Sequence, residues 1–252
     1  MEWMIGLLIL LELVFPLPLK DTRGQHRGFP IATTALVLIN IIVFIAMAWI
    51  LSEALTDPEQ MIQTLGVVPS DVLDQSGLGS LSLVTAGFLH GDLLHIAGNM
   101  FILWFFGRKI EDLIGPFNFF LFYLLCLLGA GIASTVGRHA LSPLEATVPA
   151  IGASGAVSGV MAAYLFLFTG ERITTLIIPI PWLFRLPAWV YIIYNFGHDL
   201  LLGLLTEEFV KKHGFSPFGT DVFAHVGGLI IGLIFIYLYL PPEALVDRRQ
   251  RR

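Results

Sequence analysis

The chain of 252 residues is 56% hydrophobic and only 13% charged, and its mean hydropathy is +0.81. Soluble globular domains carry about twice that share of charged residues, so the composition excludes this class and indicates a protein that crosses a membrane several times. The net charge is −5 and the sequence has no long cationic stretch, which argues against nucleic acid as a partner. The single cysteine, Cys126, excludes both an intrachain disulfide and a metal site built on thiolates.

The first nineteen residues are compatible with several structures. Residues 3–15 are apolar, but Glu2 stands where a signal peptide has a basic residue, no small-residue cleavage site follows, and Pro16 and Pro18 interrupt the run. The alternatives that stay open are an interfacial helix, a short additional span, a signal peptide and a misplaced start codon.

Six apolar stretches follow, and each approaches the length needed to cross roughly 30 Å of hydrocarbon as a helix. In chain order they are segments one to six, at residues 31–51, 93–108, 117–137, 152–169, 183–205 and 222–240. Segments two and four are short, and segment four is rich in Gly and Ala, which is typical of helices buried among others. A polar loop of about forty residues, 52–92, separates segments one and two.

The predicted fold class is therefore an all-α membrane protein. We expect a cytoplasmic or interfacial segment at 1–30, a six-helix membrane domain at 31–240 and a basic cytoplasmic tail at 241–252. Both termini are predicted to be cytoplasmic, since most cations then lie inside and only Arg138, Lys211 and Lys212 lie outside. The cations on the inner side are Lys20, Arg23, Arg27, Arg108, Lys109, Arg172, Arg185, Arg248, Arg249, Arg251 and Arg252.

Four polar residues share one predicted depth, just below the outer surface. With this topology, segments two, four and six all run inward from the outer face. His95 and Asn99 lie about one and two turns into segment two, Ser154 lies at the start of segment four, and His225 lies about one turn into segment six. Their common depth predicts a single site, against the simpler interpretation that each residue forms a helix-packing hydrogen bond.

Small residues predict close contact between segments four and six. Two adjacent rows of small residues run along segment four: Ser154, Ser158 and Ala162 form one, and Gly155, Gly159 and Ala163 form the other. On segment six, His225 shares a face with Gly228 and Gly232. Packing of these faces places the imidazole beside the hydroxyl of Ser154, and a neutral histidine is suited to accept a serine proton near pH 7. His95, Asn99 and the Ser154 N–H are then able to donate to the negative charge that develops on a peptide carbonyl under attack. The residues predict an acyl-transfer site.

Four motifs follow one another along the chain: His90 to Asn99, Phe106 to Glu111, Gly152 to Gly155, and Gly219 to Gly232. In this order they resemble the motifs of the rhomboid intramembrane serine proteases. The resemblance implies a six-helix rhomboid-like bundle with Ser154 as nucleophile, His225 as general base, and His95 and Asn99 as oxyanion donors. It implies neither metal nor cofactor. The implied partners are membrane lipids and the transmembrane segments of other proteins, cut near their extracytoplasmic end, and the implied location is a bacterial inner (plasma) membrane.

Three further residues are expected to shape this site: His90, Gly152 and Ser158. Ser158 stands where some family members have an aromatic residue that stacks on the catalytic histidine. His225 is therefore expected to be held by the packing face around Gly228 or by a hydrogen bond from Ser158. His90, at the junction of loop and helix, is expected to hydrogen-bond the 52–92 loop.

Segment five carries a polar cluster of Asn195, His198 and Asp199. The resemblance implies that this segment is the lateral gate for substrate. Asp199 is expected to pair with His198 or to be hydrated, and the alternative is that it orients His225 as a third catalytic residue. Whether the loop 206–220 closes over the site as a lid stays open.

Two other classes of function compete with the protease. A catalytically inactive rhomboid-like protein would bind transmembrane clients without cutting them. A transporter would use His90, His95, Asp199 and His225 to bind a divalent cation such as zinc. The sequence predicts neither the physiological substrate nor the oligomeric state.

Overall fold

The structure is a computed structural model, and it describes residues 15–22, 28–53, 57–178, 182–213 and 221–240. Its elements in chain order are β1 (Phe15–Asp21), α1 (Ile31–Ser52), α2 (Pro58–Leu65), α3 (Pro69–Asp74), α4 (Gly79–Phe88), α5 (Leu93–Ile102), α6 (Arg108–Ile114), α7 (Pro116–Leu141), α8 (Ser154–Leu167), β2 (Arg172–Ile178), β3 (Trp182–Pro187), α9 (Ala188–His213) and α10 (Val222–Tyr239). A π-helical stretch, Leu103–Gly107, joins α5 to α6, and a 3-10 turn, Pro143–Glu145, follows α7. The described fold is mostly helical.

The chain divides into two compact units. The sheet unit comprises Met1–Gln25 and Phe168–Val222, and the helical unit comprises His26–Leu167 and Phe223–Arg252. Each of the six predicted segments contains a helix: α1, α5, α7, α8, α9 and α10. Among the described residues, three helices, α1, α7 and α10, are long and apolar enough to cross a membrane.

Aromatic side chains on α7 and α8 form the centre of the helical unit. Phe119, Phe122 and Tyr123 of α7 are fully buried, as is Tyr164 of α8. The Tyr164 ring meets the edge of Phe106 with ring centroids 4.8 Å apart. Because these large rings fill the space between the helices, α8 is held deep in the unit, as its Gly- and Ala-rich sequence predicts.

The N-terminus of α1 is capped from a distant part of the chain. Pro30 precedes the helix and supplies no side-chain cap. The buried carboxylate of Glu111 on α6 accepts hydrogen bonds from the N–H groups of Ala32 and Thr33, at 2.9 and 2.8 Å, and from the Thr33 hydroxyl at 2.7 Å. A carboxylate at this end satisfies free N–H groups and offsets the helix dipole, so Glu111 fixes α1 to α6.

The all-α prediction is wrong in the sheet unit, where β1, β2 and β3 form an antiparallel sheet in that order. Residues 183–187, predicted as part of segment five, belong to β3, and the helix begins at Ala188. Pro16 and Pro18 lie in β1, an edge strand, where the lack of an N–H donor is tolerated. The Tyr191 hydroxyl on α9 donates to the Pro16 carbonyl at 2.9 Å and anchors this strand.

The region predicted as a polar loop, 52–92, contains three short helices, α2, α3 and α4. Asp57 caps α2 by accepting from the Glu59 N–H at 2.8 Å, and Pro58 occupies the first turn. Proline and an acidic cap favour such helix starts. Of the predicted loop 206–220, residues 206–213 continue α9, whereas 214–220 lie outside the described residues, as do residues 1–14.

Candidate active site

Ser154 is the first residue of α8, and backbone hydrogen bonds fix the loop that precedes it. Val67 and Ala150 exchange two N–H to carbonyl bonds of 2.9 Å, and the Gly152 N–H donates to the Ala86 carbonyl at 2.9 Å. The loop is therefore joined to the 57–92 region on both sides of Ile151. This arrangement fixes the point at which α8 begins, and with it the Ser154 hydroxyl.

Gly152 lies between the side chains of His95 and Ser154. Its φ is +124°, a conformation that residues with a Cβ rarely adopt. A Cβ added there would meet His95 Nε2 at 2.8 Å and would lie 3.8 Å from Ser154 Oγ. The absent side chain thus allows the imidazole of His95 and the hydroxyl of Ser154 to approach the same backbone position.

His95 and Asn99 are presented by the start of α5. The Asp92 carboxylate caps this helix by accepting from the His95 N–H at 2.9 Å, which fixes the first turn. Asn99, one turn further on, is buried, and its Nδ2 has no hydrogen-bond partner in the described part of the chain. Both residues thus carry N–H groups in the same part of the unit, as an oxyanion site requires.

His90 packs against His95. The two rings meet edge to face with centroids 5.0 Å apart, and the side chain of His90 is almost entirely buried. Burial, with the neighbouring imidazole of His95, lowers the pKa of His90 to about 4, so the ring is neutral at physiological pH. Neither ring nitrogen has a hydrogen-bond partner among the described residues, so the expected hydrogen bond from His90 to the 52–92 region is not formed. The neutral ring instead acts as a packing surface for His95.

Glycine backbones bring α8 and α10 into direct contact. A Cβ at Gly228 would meet the Gly155 carbonyl oxygen at 1.8 Å, and a Cβ at Gly155 would meet the Ala224 carbonyl oxygen at 3.2 Å. One turn further along, a Cβ at Gly232 would lie 2.4 Å from the Gly159 carbonyl oxygen. The predicted packing of segments four and six is therefore present, and only glycine allows it.

This contact places the start of α10 beside the start of α8. His225 follows Ala224, which faces Gly155, and its side chain is buried. His225 also lies close enough to His95 to interact with it electrostatically. The helical unit therefore brings His90, His95, Ser154 and His225 to one end of its helices; Ser158 is buried one turn further along α8.

Sequence reasoning missed the part played by Arg138 and treated it only as a charge that sets topology. The buried guanidinium donates through Nη2 to the carbonyls of Glu145 and Val148, at 2.7 and 2.6 Å, and its Nε lies 3.6 Å from the Glu145 carboxylate. These contacts hold the loop that leads to Gly152. An arginine in the last turn of an apolar helix, followed by an acidic residue in the next loop, was the available signal.

The polar cluster of segment five lies in the sheet unit. His198 Nδ1 and Asp199 Oδ1 are 3.7 Å apart, and Asn195 donates to the Tyr191 carbonyl at 2.7 Å. This is the pairing of Asp199 with His198 that the sequence predicts. Within the described residues, no group of three or more His, Cys, Asp or Glu side chains is placed to hold a metal ion.

Comparison with known proteins identifies the family. Residues 79–242 match the model of the Rhomboid domain. The chain is 28% identical over 173 residues to Rhomboid protein 1, mitochondrial, of Saccharomyces cerevisiae, an alignment that covers 68% of this chain and 45% of the relative. It is 34% identical over 169 residues to RHOMBOID-like protein 6, mitochondrial, of Arabidopsis thaliana, covering 66% and 47%.

A bacterial relative aligns over more of the chain. The identity to Rhomboid protease GluP of Bacillus subtilis is 28% over 213 residues, which is 82% of this chain and 34% of the relative. The chain thus spans about half or less of the length of these three relatives. Since the domain model covers most of the chain, including all four motifs and the helices from α4 to α10, this integral membrane protein belongs to the rhomboid family.

Proposed function

We propose that this rhomboid protein is an intramembrane serine endopeptidase. Ser154 is the nucleophile, His225 is the general base, and His95, Asn99 and the Ser154 N–H stabilise the oxyanion. The observation that carries the proposal is the backbone contact of Gly155 with Ala224 and of Gly228 with Gly155, because it adjoins the first turns that bear the serine and the histidine. The position of Gly152, between His95 Nε2 and Ser154 Oγ, supports the same assignment.

The chemistry proceeds in two acyl transfers. Ser154 Oγ adds to the scissile carbonyl carbon while its proton passes to His225, and the carbonyl oxygen becomes an oxyanion. The His95 and Asn99 side chains donate to that oxygen, a contribution of about 3 to 4 kcal/mol per donor in serine proteases. The amine leaves with the proton from His225. Water, deprotonated by His225, then attacks the acyl-enzyme and releases the carboxylic acid and the free serine.

The substrate we propose is a transmembrane segment of another protein, cut near its extracytoplasmic end. Ser154 begins α8, His95 lies in the first turn of α5, and His225 lies in the first turn of α10. With the orientation predicted from the Lys and Arg distribution, and with all six segments as spans, these helix starts lie near the outer surface. We further propose a bacterial plasma membrane location; the relatives named above include mitochondrial proteins as well as a bacterial one.

The test is cleavage in liposomes. The full chain is reconstituted with a single-span protein that carries an Ala- or Gly-containing outer juncture, and cleavage is followed by gel electrophoresis. Wild type is expected to cut, whereas Ser154→Ala and His225→Ala lose at least about a thousandfold of the rate, the scale seen when members of a catalytic serine–histidine pair are removed. Matched controls, Ser52→Ala at the end of α1 and His139→Ala near the end of α7, keep wild-type rates.

A second readout does not depend on the choice of substrate. A fluorophosphonate forms a bond between its phosphorus and Ser154 Oγ as fluoride leaves, and labelling requires the activated serine. We expect labelling of wild type and of both controls, and none of Ser154→Ala. If folded wild type is neither labelled nor able to cut a panel of substrates, the protease assignment is wrong and the inactive client-binding protein takes its place.

A further inference from the structure

One face of the sheet carries an ordered pattern of apolar and basic residues. Leu17 pairs with Leu176, and Leu176 pairs with Leu183, so three leucines form a row across the sheet. Thr174 lies two residues before Leu176 on β2, and it pairs with Lys20 of β1 on one side and with Arg185 of β3 on the other. Because alternate residues of a strand point to the same side, both rows lie on one face. We call these six residues the lipid face.

A bulge in β1 brings Lys20 onto the lipid face. The register shifts between Pro18 and Lys20, so Leu19 is the extra residue. Pro18 and Asp21 are buried on the opposite face, whereas Lys20 is exposed. The bulge therefore returns the Lys20 side chain to the side that Leu17 occupies.

The opposite face of the sheet is covered along β1 and β2, and the lipid face is open. Ile173 and Thr175 of β2 are completely buried, as are Ala188 and Tyr191 of α9, which packs on the sheet. On the lipid face, Leu183 is 64% exposed, and Lys20 and Arg185 are exposed as well. Neither cation forms an ion pair with another residue that the structure describes.

The connection to α9 places this face relative to a membrane. α9 follows β3 without a linker, and the hydrogen bond from Tyr191 to the Pro16 carbonyl requires that α9 turns back over the sheet. The hairpin end of the sheet therefore lies on the side toward which α9 runs. With α9 as a membrane span, the leucine row lies toward the hydrocarbon and the basic row toward the headgroups.

The hairpin end of the sheet, beyond the leucine row, carries exposed aromatic rings. Trp182 is 64% exposed, and its ring lies 6.2 Å from that of Phe184, which is partly exposed. Exposed Trp and Phe beside leucines are typical of a surface that meets the apolar side of a membrane interface. Lys20, Arg172 and Arg185 all lie on the side that the sequence predicts to be cytoplasmic, and that leaflet carries the anionic lipids.

We propose that the lipid face binds an anionic phospholipid of the cytoplasmic leaflet. Lys20 and Arg185 lie on strands separated by β2, about 10 Å apart at the backbone, and both long side chains reach a phosphodiester placed over Thr174. The Thr174 hydroxyl donates to the same group. The leucine row, about 7 Å away along the strands, contacts the first part of the acyl chains.

The test measures lipid binding by the full chain in a neutral detergent, by native mass spectrometry. Dioleoyl phosphatidylglycerol and dioleoyl phosphatidylcholine are the probes. Wild type is expected to bind the first more tightly. The double variant K20Q/R185Q is expected to weaken phosphatidylglycerol binding by about thirtyfold, and R185Q alone by about fivefold, because each cation contributes about 1 kcal/mol next to an anionic lipid. Binding of phosphatidylcholine stays unchanged.

Two control variants separate a site from general charge. K211Q/K212Q removes the same charge from positions predicted on the opposite side of the membrane and is expected to keep wild-type binding. K20R/R185K retains both cations and is also expected to bind. Circular dichroism checks that each variant keeps its helix content, and R185Q, an exposed single change, serves if the double variant unfolds.

Three results would overturn the proposal. Equal loss in K211Q/K212Q and K20Q/R185Q would reduce the effect to net charge, and equal binding of the two lipids by wild type would remove the preference for anionic headgroups. Displacement of phosphatidylglycerol by an excess of inorganic phosphate would indicate a free-phosphate site, since the leucine row adds nothing to the binding of a free ion.

Discussion

At the residue scale, Gly152 combines a special backbone conformation with a tight contact inside the site. Its φ of +124° is strained for any residue with a Cβ, and that Cβ would meet His95 Nε2 at 2.8 Å. The hydrogen bond from its N–H to Ala86 prevents the loop from moving aside. Glycine at this position is therefore a requirement of the oxyanion site that we propose.

Gly152→Ala is expected to lower cleavage at least a hundredfold, because His95 must leave the position beside Ser154, and loss of one oxyanion donor costs about that much. The effect should appear in kcat, with little change in the melting temperature beyond that caused by strain of about 1 to 3 kcal/mol. Gly91→Ala is the matched control, since its Cβ would meet nothing closer than Ile151 Cδ1 at 4.0 Å. Wild-type kcat in Gly152→Ala would contradict the assignment of His95.

His90 makes the stability of the fold sensitive to acid. Its pKa falls from the usual 6.5 to about 4 because burial disfavours the charged ring, and the nearby His95 adds to the effect. Between pH 6.5 and pH 4 the unfolded chain binds a proton at His90 that the folded chain does not. The free energy of unfolding is therefore highest above pH 6.5, where His90 is neutral in both states, and it declines as the pH falls to 4.

The free energy of unfolding is expected to fall by up to about 3 kcal/mol, and thermal unfolding in detergent at pH 7.5 and pH 4.5 measures this loss. His90→Asn should flatten the pH dependence in this range, whereas His139→Asn, a change of the same kind at an exposed position, should leave it as in wild type. An unchanged pH dependence in His90→Asn would assign the acid sensitivity to other groups.

At the scale of elements, the contact of α8 with α10 depends on glycine backbones. The Gly155 carbonyl lies where a Cβ at Gly228 would stand, 1.8 Å away, and both atoms belong to helices that are themselves packed. Since neither helix is able to shift by a small amount, adding one methyl group separates them. The positions of Ser154 and His225 change with that separation.

Gly228→Ala is therefore expected to abolish cleavage and to lower stability by about 1 to 3 kcal/mol, the usual cost of overpacking. Gly197→Ala on α9, where an added Cβ meets nothing within 4 Å, should leave the melting temperature unchanged or raise it, since alanine favours helix more than glycine does. Cleavage and thermal unfolding of the two variants provide the comparison. A fully active, stable Gly228→Ala protein would show that the helices are not in contact.

The cap that Glu111 provides joins α1 to α6 across nearly eighty residues of sequence. Glu111→Ala leaves the N–H groups of Ala32 and Thr33 buried without their acceptor. We expect the free energy of unfolding to fall by about 2 to 4 kcal/mol, since charge-assisted hydrogen bonds and buried unsatisfied donors carry costs of this size. Thermal unfolding measures the loss, and Glu59→Ala, at an exposed carboxylate on α2, should change the melting temperature little. Equal melting temperatures would show that α1 does not need this cap.

At the scale of the whole molecule, hydropathy located helices well and failed at strands. Segments one and six correspond closely to α1 and α10, because a long apolar run has few alternatives to a helix in a membrane. The hydropathy pattern joins residues 183–187 to segment five because β3 is a short apolar strand that runs directly into α9, and a short apolar run does not by itself distinguish a strand from a helix.

The candidate site followed from the sequence for similar reasons. Small residues at helical spacing predicted the packing of α8 on α10, and the order of motifs resembled one family. By contrast, the cap that Glu111 provides has no local pattern, because it joins two parts of the chain that meet only in the folded protein. Arg138 and the acidic Glu145 are close in sequence, but the hydrogen bonds of Arg138 to the loop carbonyls depend on how that loop folds.

The orientation of the molecule determines which face of the membrane the site serves. Eleven of the fourteen Lys and Arg residues lie on the predicted cytoplasmic side, and the 52–92 region has none. Alkaline phosphatase, which is active only outside the cytoplasm, is therefore expected to be active when inserted at Gly77 and inactive when fused after Arg252. A fluorescent protein at the same two positions should give the reverse pattern. Activity of the phosphatase at the C-terminus would invert the topology and place Ser154 near the cytoplasmic surface, where a substrate cut at its outer end is out of reach.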